Sequence, residues 1–174
     1  MISQKKIDKI KALVLDIDGV LTDGRLGYSA GDEIKFFHVR DGHGIKMAIR
    51  SGILVGVLSG RVAESNRKRA KELGFSFFYE GQKDKRKAFE LLLKEQNLKA
   101  DECLYMGDDV VDLPPMLKSG IAVTVADAPE YMDKYCTFRT IKGGGQGAVR
   151  EVIDWLLMKQ GKWDQQWSVI YPDD

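Results

Sequence analysis

Short apolar runs alternate with helical patterns along the 174-residue chain. Six runs have the length of β-strands, and several are apolar throughout, which is typical of strands covered on both faces by helices. These runs are residues 11–15, 53–58, 75–79, 102–106, 121–125 and 135–138. Between them apolar residues recur at helical spacing, as at Phe89 and Leu92, and Gly52, Gly74 and Gly120 follow three such stretches as expected left-handed caps. The alternation predicts a doubly wound, mostly parallel, Rossmann-like α/β sheet with helices on both faces.

One stretch interrupts this alternation. In residues 24–39 (GRLGYSAGDEIKFFHV) aromatic and β-branched residues flank a Ser-Ala-Gly-Asp turn, which predicts a β-hairpin insertion. Because this segment follows the first strand, we expect it to project from that strand's carboxyl end. Residues 1–160 have the size of one domain. Residues 161–174 form a C-terminal tail, whose two tryptophans and one tyrosine favour docking onto another surface.

Composition narrows the function classes. Lys and Arg number 27 and Asp and Glu 26, giving a net charge of +1, so we expect neither a nucleic acid nor an anionic membrane as a partner. No apolar run approaches the roughly 18 residues that span a bilayer, and acids interrupt the first apolar run, which argues against a signal peptide. Cys103 and Cys136 lack CxxC spacing, so reduced thiols and a cytoplasmic location are expected.

Two carboxylates end the first predicted strand, in residues 13–24 (LVLDIDGVLTDG). Side chains alternate along a strand, so Ile17 can enter the core while Asp16 and Asp18 face the strand tip. Two acids held together repel each other unless a cation or a proton lies between them. The plainer alternative is that one acid caps a turn and the other is exposed, but an acid pair followed by glycine favours a functional site.

A second acidic group, with Asp108, Asp109 and Asp112, follows another predicted strand in residues 105–114 (YMGDDVVDLP). Parallel strand ends meet at one edge of the sheet, so Asp108 can face Asp16 across a gap. Oxygen donors without nearby Cys or His favour Mg²⁺ over zinc or copper. Asp109 also has a simpler interpretation as a helix N-cap, which leaves Asp108 unexplained.

Two further segments suit a phosphate group. Ser59, Gly60 and Arg61 follow a strand and offer a hydroxyl group and backbone amides at a predicted helix start. Lys85 opens a later helix and can act as a point charge against a phosphoryl oxygen. Taken alone, each signal is weak, since a serine before glycine is usually a turn and a lysine at a helix start is usually solvated.

The order of these parts closely resembles the haloacid dehalogenase superfamily of phosphohydrolases, from Ala12 to about Ile153. The resemblance implies that Asp16 is the nucleophile and Asp18 the general acid and base. It implies that Ser59 and Lys85 hold the transferred phosphoryl group, and that Mg²⁺ is bound by Asp16, Asp108 and the backbone carbonyl of Asp18.

The resemblance also implies that Asp109 and Asp112 contact the metal-binding residues without binding the Mg²⁺ ion themselves. The short spacings leave no room for a large cap domain, so the chain resembles the capless branch that includes phosphatases of 3-deoxy-D-manno-octulosonate 8-phosphate. The matching segments are residues 18–24, 39–45, 59–61, 81–85, 107–112 and 143–152.

That resemblance implies a phosphorylated sugar acid of lipopolysaccharide synthesis as the substrate. It also implies a homotetramer in which the hairpin and the tail contribute to neighbouring active sites. The guanidinium of Arg61, or else of Arg40, suits the carboxylate of the sugar. Gln146 stands where some relatives carry arginine, which puts a carboxylate contact from that turn in doubt.

Three alternatives stay open. A phosphatase of nine-carbon sialic-type sugar acid 9-phosphates is the nearest, although the SGR and DGHG segments favour the eight-carbon substrate. A signalling receiver domain also combines an acid pair, Mg²⁺ and a lysine, but its phosphate acceptor ends a later strand, where this chain has Ser59. A non-catalytic regulatory protein on the same scaffold would typically lack an acid or the lysine, and both are present here.

Overall fold

The structure is a computed structural model that describes residues 2–29 and 32–166. In chain order its elements are α1 (Gln4–Asp8), β1 (Ala12–Leu15), β2 (Gly27–Ser29), β3 (Asp32–Ile34), α2 (Val39–Arg50), β4 (Leu54–Leu58), α3 (Glu64–Leu73), β5 (Phe77–Tyr79), α4 (Lys85–Glu95), β6 (Cys103–Met106), α5 (Leu113–Lys118), β7 (Ile121–Thr124), β8 (Phe138–Arg139) and α6 (Ala148–Lys159). Short 3-10 turns cover Ala100–Glu102, Val110–Asp112 and Glu130–Lys134.

Six parallel strands form the central sheet in the order β5-β4-β1-β6-β7-β8. All residues of β1, β6 and β7 are buried, which explains why these strands are apolar throughout rather than alternating. Helices α2 and α6 pack together, and α4 packs against α5. The predicted doubly wound α/β fold is therefore confirmed.

The hairpin is confirmed as well. Strands β2 and β3 pair antiparallel, with Gly27 opposite Ile34 and Ser29 opposite Asp32. Residues 30 and 31, at the tip of the predicted turn, lie outside the described residues. Helix α3 packs against β3, so the hairpin rests on the body of the same chain.

Some local predictions need correction. Gly74 (φ 71°) and Gly52 (φ 79°) have the expected left-handed backbone, whereas Gly120 does not. Its role is a close approach, since a Cβ atom there would lie 2.3 Å from the carbonyl oxygen of Asp101. The last predicted strand, 135–138, is also wrong in its bounds, because the chain is still leaving a 3-10 turn at Tyr135.

Part of the tail is docked. Helix α6 ends at Lys159, and Gln166 is buried, with its amide donating to Ser51 Oγ (2.7 Å). The Trp163 ring packs against the core and lies 6.0 Å from the guanidinium carbon of Arg150. The predicted docking of residues 167–174 lies outside the described residues. Among the helices described, none combines the length and the apolar composition that a bilayer crossing requires.

Candidate active site

Strand register brings the predicted site residues to one edge of the sheet. Leu15 of β1 lies opposite Val57 of β4 on one side and opposite Met106 of β6 on the other. Asp16 follows Leu15 directly, and its amide donates to the carbonyl of Met106 (3.0 Å). The first acid pair, the Ser59 loop and the second acidic group therefore share the carboxyl ends of three adjacent strands, where sites in such sheets lie.

Asp16 is held on both carboxylate oxygens. Oδ1 accepts the backbone amide of Ile17 (2.7 Å), and Oδ2 lies 2.7 Å from Lys85 Nζ. Lys85 is the first residue of α4, as predicted, and its side chain is almost fully buried. A buried ammonium beside a buried carboxylate forms a strong charge-assisted contact.

Lys85 also bonds a third acid, Asp112. Its ammonium donates to Asp112 Oδ1 (2.7 Å), which also accepts the hydroxyl of Tyr105 (2.8 Å). Asp112 Oδ2 accepts the backbone amide of Asp108 (3.2 Å). Both oxygens of the fully buried Asp112 are thus engaged, so this residue fixes the lysine and the loop after β6.

Asp108 approaches the first acidic loop closely. Its Oδ2 would lie 2.1 Å from a Cβ atom placed on Gly19, whose φ of 88° also favours glycine. Two reasons therefore require glycine at position 19: its backbone conformation in the turn, and the space that the Asp108 carboxylate occupies.

The three acids form a set of oxygen donors that suits a divalent cation. One ligand oxygen from each of Asp16, Asp108 and Asp112 lies within 4.8 Å of the others. Three carboxylates against the one ammonium of Lys85 leave an excess of two negative charges when all are ionised. Oxygen donors of this kind are typical Mg²⁺ ligands. The residues present therefore fit the predicted ion.

The pKa shifts express the same excess of negative charge. Burial, and then the charge of Asp112, raise the pKa of Asp16 well above its usual range. Burial followed by the charge of Asp112 also raises the pKa of Asp108 to about 7. For Lys85, burial acts to lower the pKa, but the charges of Asp16 and Asp112 outweigh it and raise the pKa.

The loop after β4 differs in one respect from the prediction. Ser59 is fully buried, and its Oγ accepts the amide of Arg61 (3.3 Å). Helix α3, however, begins at Glu64, so the loop is not the first turn of that helix. Gly60 is exposed, and the Arg61 guanidinium pairs with the hairpin carboxylate of Glu33.

The remaining predicted residues lie around this centre. The Asp18 side chain pairs with Lys35 Nζ (2.6 Å) rather than joining the three-acid group, and the predicted metal contact of its backbone carbonyl stays a prediction. Asp109 is exposed, caps the turn at Val110 and accepts the hydroxyl of Tyr131. Arg40 is exposed in the first turn of α2, and no contact among the described residues joins it to the acids.

Two residues of the site went unnoticed in the sequence. Tyr105 is the buried hydroxyl behind Asp112, and the available signal was a tyrosine within an otherwise apolar strand. Lys35 is the partner of Asp18, and the signal was the alternation of Glu33 and Lys35 with the apolar Ile34 and Phe36.

Two acidic loops and a buried lysine lie together at one edge of the parallel sheet. This is the arrangement that the resemblance to the haloacid dehalogenase superfamily implied. A family model of haloacid dehalogenase-like hydrolases matches residues 75–153. The chain belongs to the haloacid dehalogenase-like hydrolases, as a relative that is 45% identical over 91% of it also shows.

Within that class the similarity is to one kind of phosphatase. The 3-deoxy-D-manno-octulosonate 8-phosphate phosphatase of Haemophilus influenzae is 45% identical over 160 residues, which are 91% of this chain and 89% of that protein. The solved cobalt-bound form of the Haemophilus influenzae phosphatase has a TM-score of 0.88 at 45% identity, covering 91% of this chain and 93% of that one.

A third comparison concerns the Moraxella catarrhalis 3-deoxy-D-manno-octulosonate 8-phosphate phosphatase, solved with a magnesium ion, a phosphate ion and a KDO molecule. It has a TM-score of 0.91 at 36% identity, covering 96% of this chain and 97% of that one.

Proposed function

We propose that this chain is a Mg²⁺-dependent phosphatase that removes phosphate from 3-deoxy-D-manno-octulosonate 8-phosphate in lipopolysaccharide sugar biosynthesis. The observation that carries the proposal is the buried Asp16 carboxylate, bonded to Lys85 within a three-acid cluster at the strand ends. The relatives named above, similar over about nine-tenths of the chain, support this particular substrate.

Asp16 and Asp108 would hold the Mg²⁺ ion, together with the backbone carbonyl of Asp18. When bound, the ion supplies the positive charge that offsets repulsion between a carboxylate and a phosphate dianion. Lys85 adds a fixed positive charge on the side of Asp16, held in place by Asp112. Ser59 Oγ and the amide of Gly60 would bind phosphoryl oxygens.

The chemistry proceeds in two displacements at phosphorus. An Asp16 oxygen attacks the phosphorus, the bond from phosphorus to the sugar oxygen breaks, and Asp18 gives its proton to the departing oxygen. Water then attacks the phosphorus of the aspartyl-phosphate and gives its proton to Asp18. The bond from phosphorus to Asp16 breaks, which releases inorganic phosphate and restores both acids.

Recognition of the sugar carboxylate is assigned to Arg61 in preference to Arg40. Both arginines are exposed, but Arg61 lies in the same loop as Ser59, whereas Arg40 lies in the first turn of α2. The Arg61 guanidinium already pairs with Glu33, so a substrate carboxylate would compete with that hairpin residue. We expect Arg61→Lys to raise KM for the sugar acid phosphate more than KM for an aryl phosphate without a carboxylate, because lysine lacks the planar fork.

We also propose a homotetramer held by the hairpins. Phe36 is 74% exposed and Ile34 45% exposed, and large apolar side chains on such a projection suit an interface between copies. Light scattering on the purified protein tests this assembly, and replacing both residues by serine should reduce its mass. A monomeric wild-type protein would overturn the tetramer. A cytoplasmic location is consistent with the unpaired Cys103 and Cys136.

Phosphate release with Mg²⁺ present tests the substrate. We expect higher kcat/KM on the eight-carbon 8-phosphate than on a nine-carbon sialic-type 9-phosphate, and some release from p-nitrophenyl phosphate. A preference for the nine-carbon compound would reassign the substrate. Stable phosphorylation without phosphate release from any of the three compounds would favour the receiver domain instead.

A further inference from the structure

A second buried lysine lies outside the three-acid cluster. Lys35 directly follows β3 of the hairpin, and none of its side-chain surface is exposed (0%). Its chain neighbours Ile34 and Phe36 are largely exposed, so the hairpin turns an ammonium group inward and apolar side chains outward. Burying an ammonium is unfavourable unless its charge is paired. The partner of the lysine must therefore explain why the hairpin buries an ammonium group and exposes its apolar side chains.

That partner is Asp18, whose Oδ1 lies 2.6 Å from Lys35 Nζ. The backbone of this turn is held separately, because Thr22 Oγ donates to the carbonyl of Ile17 (3.3 Å) and accepts the amide of Gly19 (3.4 Å). The lysine is thus not needed to form the turn. What it adds is the orientation of a carboxyl group that is 22% exposed and would otherwise rotate in solvent.

Each acid of the pair has a lysine of its own. Lys85 reaches Asp16 from α4 and is shared with Asp112, inside the cluster that carries excess negative charge. Lys35 reaches Asp18 from the hairpin, and its other carboxylate neighbour is Glu33, 3.6 Å away on the same hairpin. The first lysine balances charge beside the nucleophile, whereas the second is placed to orient the proton-transferring acid.

We propose that Lys35 is a positioning residue for proton transfer by Asp18, an inference that rests on the function proposed above. The ammonium holds Oδ1, and Oδ2 carries the proton that goes to the departing sugar oxygen; while Asp18 is protonated, the carboxylate of Glu33, 3.6 Å away, remains as the counter-charge of the lysine. In the second displacement Oδ2 receives the proton of the attacking water. Lys35 acts through Asp18 of the same chain, so the hairpin would serve the active site of its own subunit as well as any neighbouring site that it reaches in the tetramer.

The experiment separates this role from a structural one by using two leaving groups. An alkyl oxygen, as in the sugar acid phosphate or in glycerol 2-phosphate, needs a proton to depart, whereas p-nitrophenolate does not. We expect Lys35→Met to lower kcat on the alkyl phosphates about 10- to 100-fold, with KM little changed. The first-turnover release of p-nitrophenol should stay within about threefold of wild type, since that step needs no general acid.

Three further variants complete the test. Lys35→Arg keeps the charge and should restore most of the lost kcat. In an Asp18→Asn background, Lys35→Met should cause no further loss, because residues that act as a unit are not additive. The matched control is Lys9→Met, which removes a lysine 2.8 Å from an aspartate at the far end of β1 and should leave both substrates unaffected.

Equal losses in the first turnover of both leaving groups would overturn the proposal, as would an additive loss in the Asp18→Asn background. A change confined to KM would also overturn it, because Lys35 would then bind substrate directly. Failure of the proposed function would appear separately, in the wild type, as no phosphate release from the sugar acid phosphate. Thermal melts with and without Mg²⁺ verify that each variant is folded.

Discussion

The two ends of the central strands carry lysine–carboxylate pairs of similar geometry in opposite surroundings. At the amino ends, Lys9 pairs with Asp101 at 2.8 Å, and both side chains are half exposed. At the carboxyl ends, Lys85 lies 2.7 Å from both Asp16 and Asp112, and all three side chains are at least 92% buried. Distance alone therefore does not distinguish the two ends of the sheet. Their exposure to water does.

Solvent decides what each pair contributes. An exposed pair gains little free energy, because water and salt screen its charges. A buried pair gains more attraction but loses hydration, so well-packed apolar residues would often be as stable in its place. The buried charged residues lie at only one end of the sheet, and burying them gains little stability. We therefore infer that they are there for catalysis.

Asp16→Asn should have the largest effect on activity. The amide keeps the shape of the side chain but cannot attack phosphorus, so phosphate release should fall by at least about 10⁴-fold. The metal-free melting temperature should not fall, because the substitution removes a buried charge and its repulsion from Asp112. Asp101→Asn at the amino end is the control and should leave turnover intact. Substantial turnover by Asp16→Asn would remove this residue from the nucleophile role.

Lys85→Met should have the largest effect on stability. Removing the ammonium leaves the buried carboxylates of Asp16 and Asp112 without their counter-charge, and breaking a buried pair in this way costs about 3–5 kcal/mol. Denaturant unfolding of the metal-free protein measures the loss. Lys118→Met, which breaks the exposed pair with Glu90, is the control. A loss no larger than that of the control would mean that burial does not separate the two kinds of pair.

The acidic cluster also predicts how Mg²⁺ acts at different pH values. The raised pKa of Asp16 and of Asp108, the latter about 7 against an ordinary 3.8, means that the folded metal-free protein binds more protons than the unfolded chain. Its free energy of unfolding should therefore fall as the pH rises from about 4 to about 7. Mg²⁺ binds the deprotonated acids, so it should raise the melting temperature more at pH 8 than at pH 5.

Differential scanning fluorimetry at the two pH values, with and without the ion, measures this difference. The Asp108→Asn variant should lose most of the difference between the two pH values, since Asp108 is one of the two metal-binding acids, with Asp16, that titrate in this range. An equal effect of Mg²⁺ at both pH values would contradict binding within this cluster.

The parts of the site that could be predicted are those fixed by strand order. Once the apolar runs are assigned to parallel strands, Asp16, Ser59 and Asp108 must meet at one edge, because each lies within two residues of the carboxyl end of a strand. Lys85 also follows this logic, since it opens the helix after β5. The family resemblance agrees with this geometry and is confirmed by the comparisons.

The residues that were not predicted depend on tertiary contacts, which the sequence pattern does not determine. Glu33 and Lys35 alternate with Ile34 and Phe36, which indicates a charged and an apolar face without saying which faces the body. A hairpin usually turns its apolar face inward, and this one does the reverse. Gly120 escaped for a similar reason, since its need for space comes from Asp101, nineteen positions earlier in the chain.

Lys9→Met should have the smallest effect, and it is the variant that most directly tests the role of solvent. The pair with Asp101 raises the pKa of Lys9, chiefly through their hydrogen bond, yet water surrounds both groups. We therefore expect no measurable change in phosphate release and none in the denaturation midpoint. The midpoint should be equally unaffected in low and high salt. A clear loss of stability, reduced by added salt, would show that the amino end also depends on its charges, and the contrast between the two ends would then be one of degree.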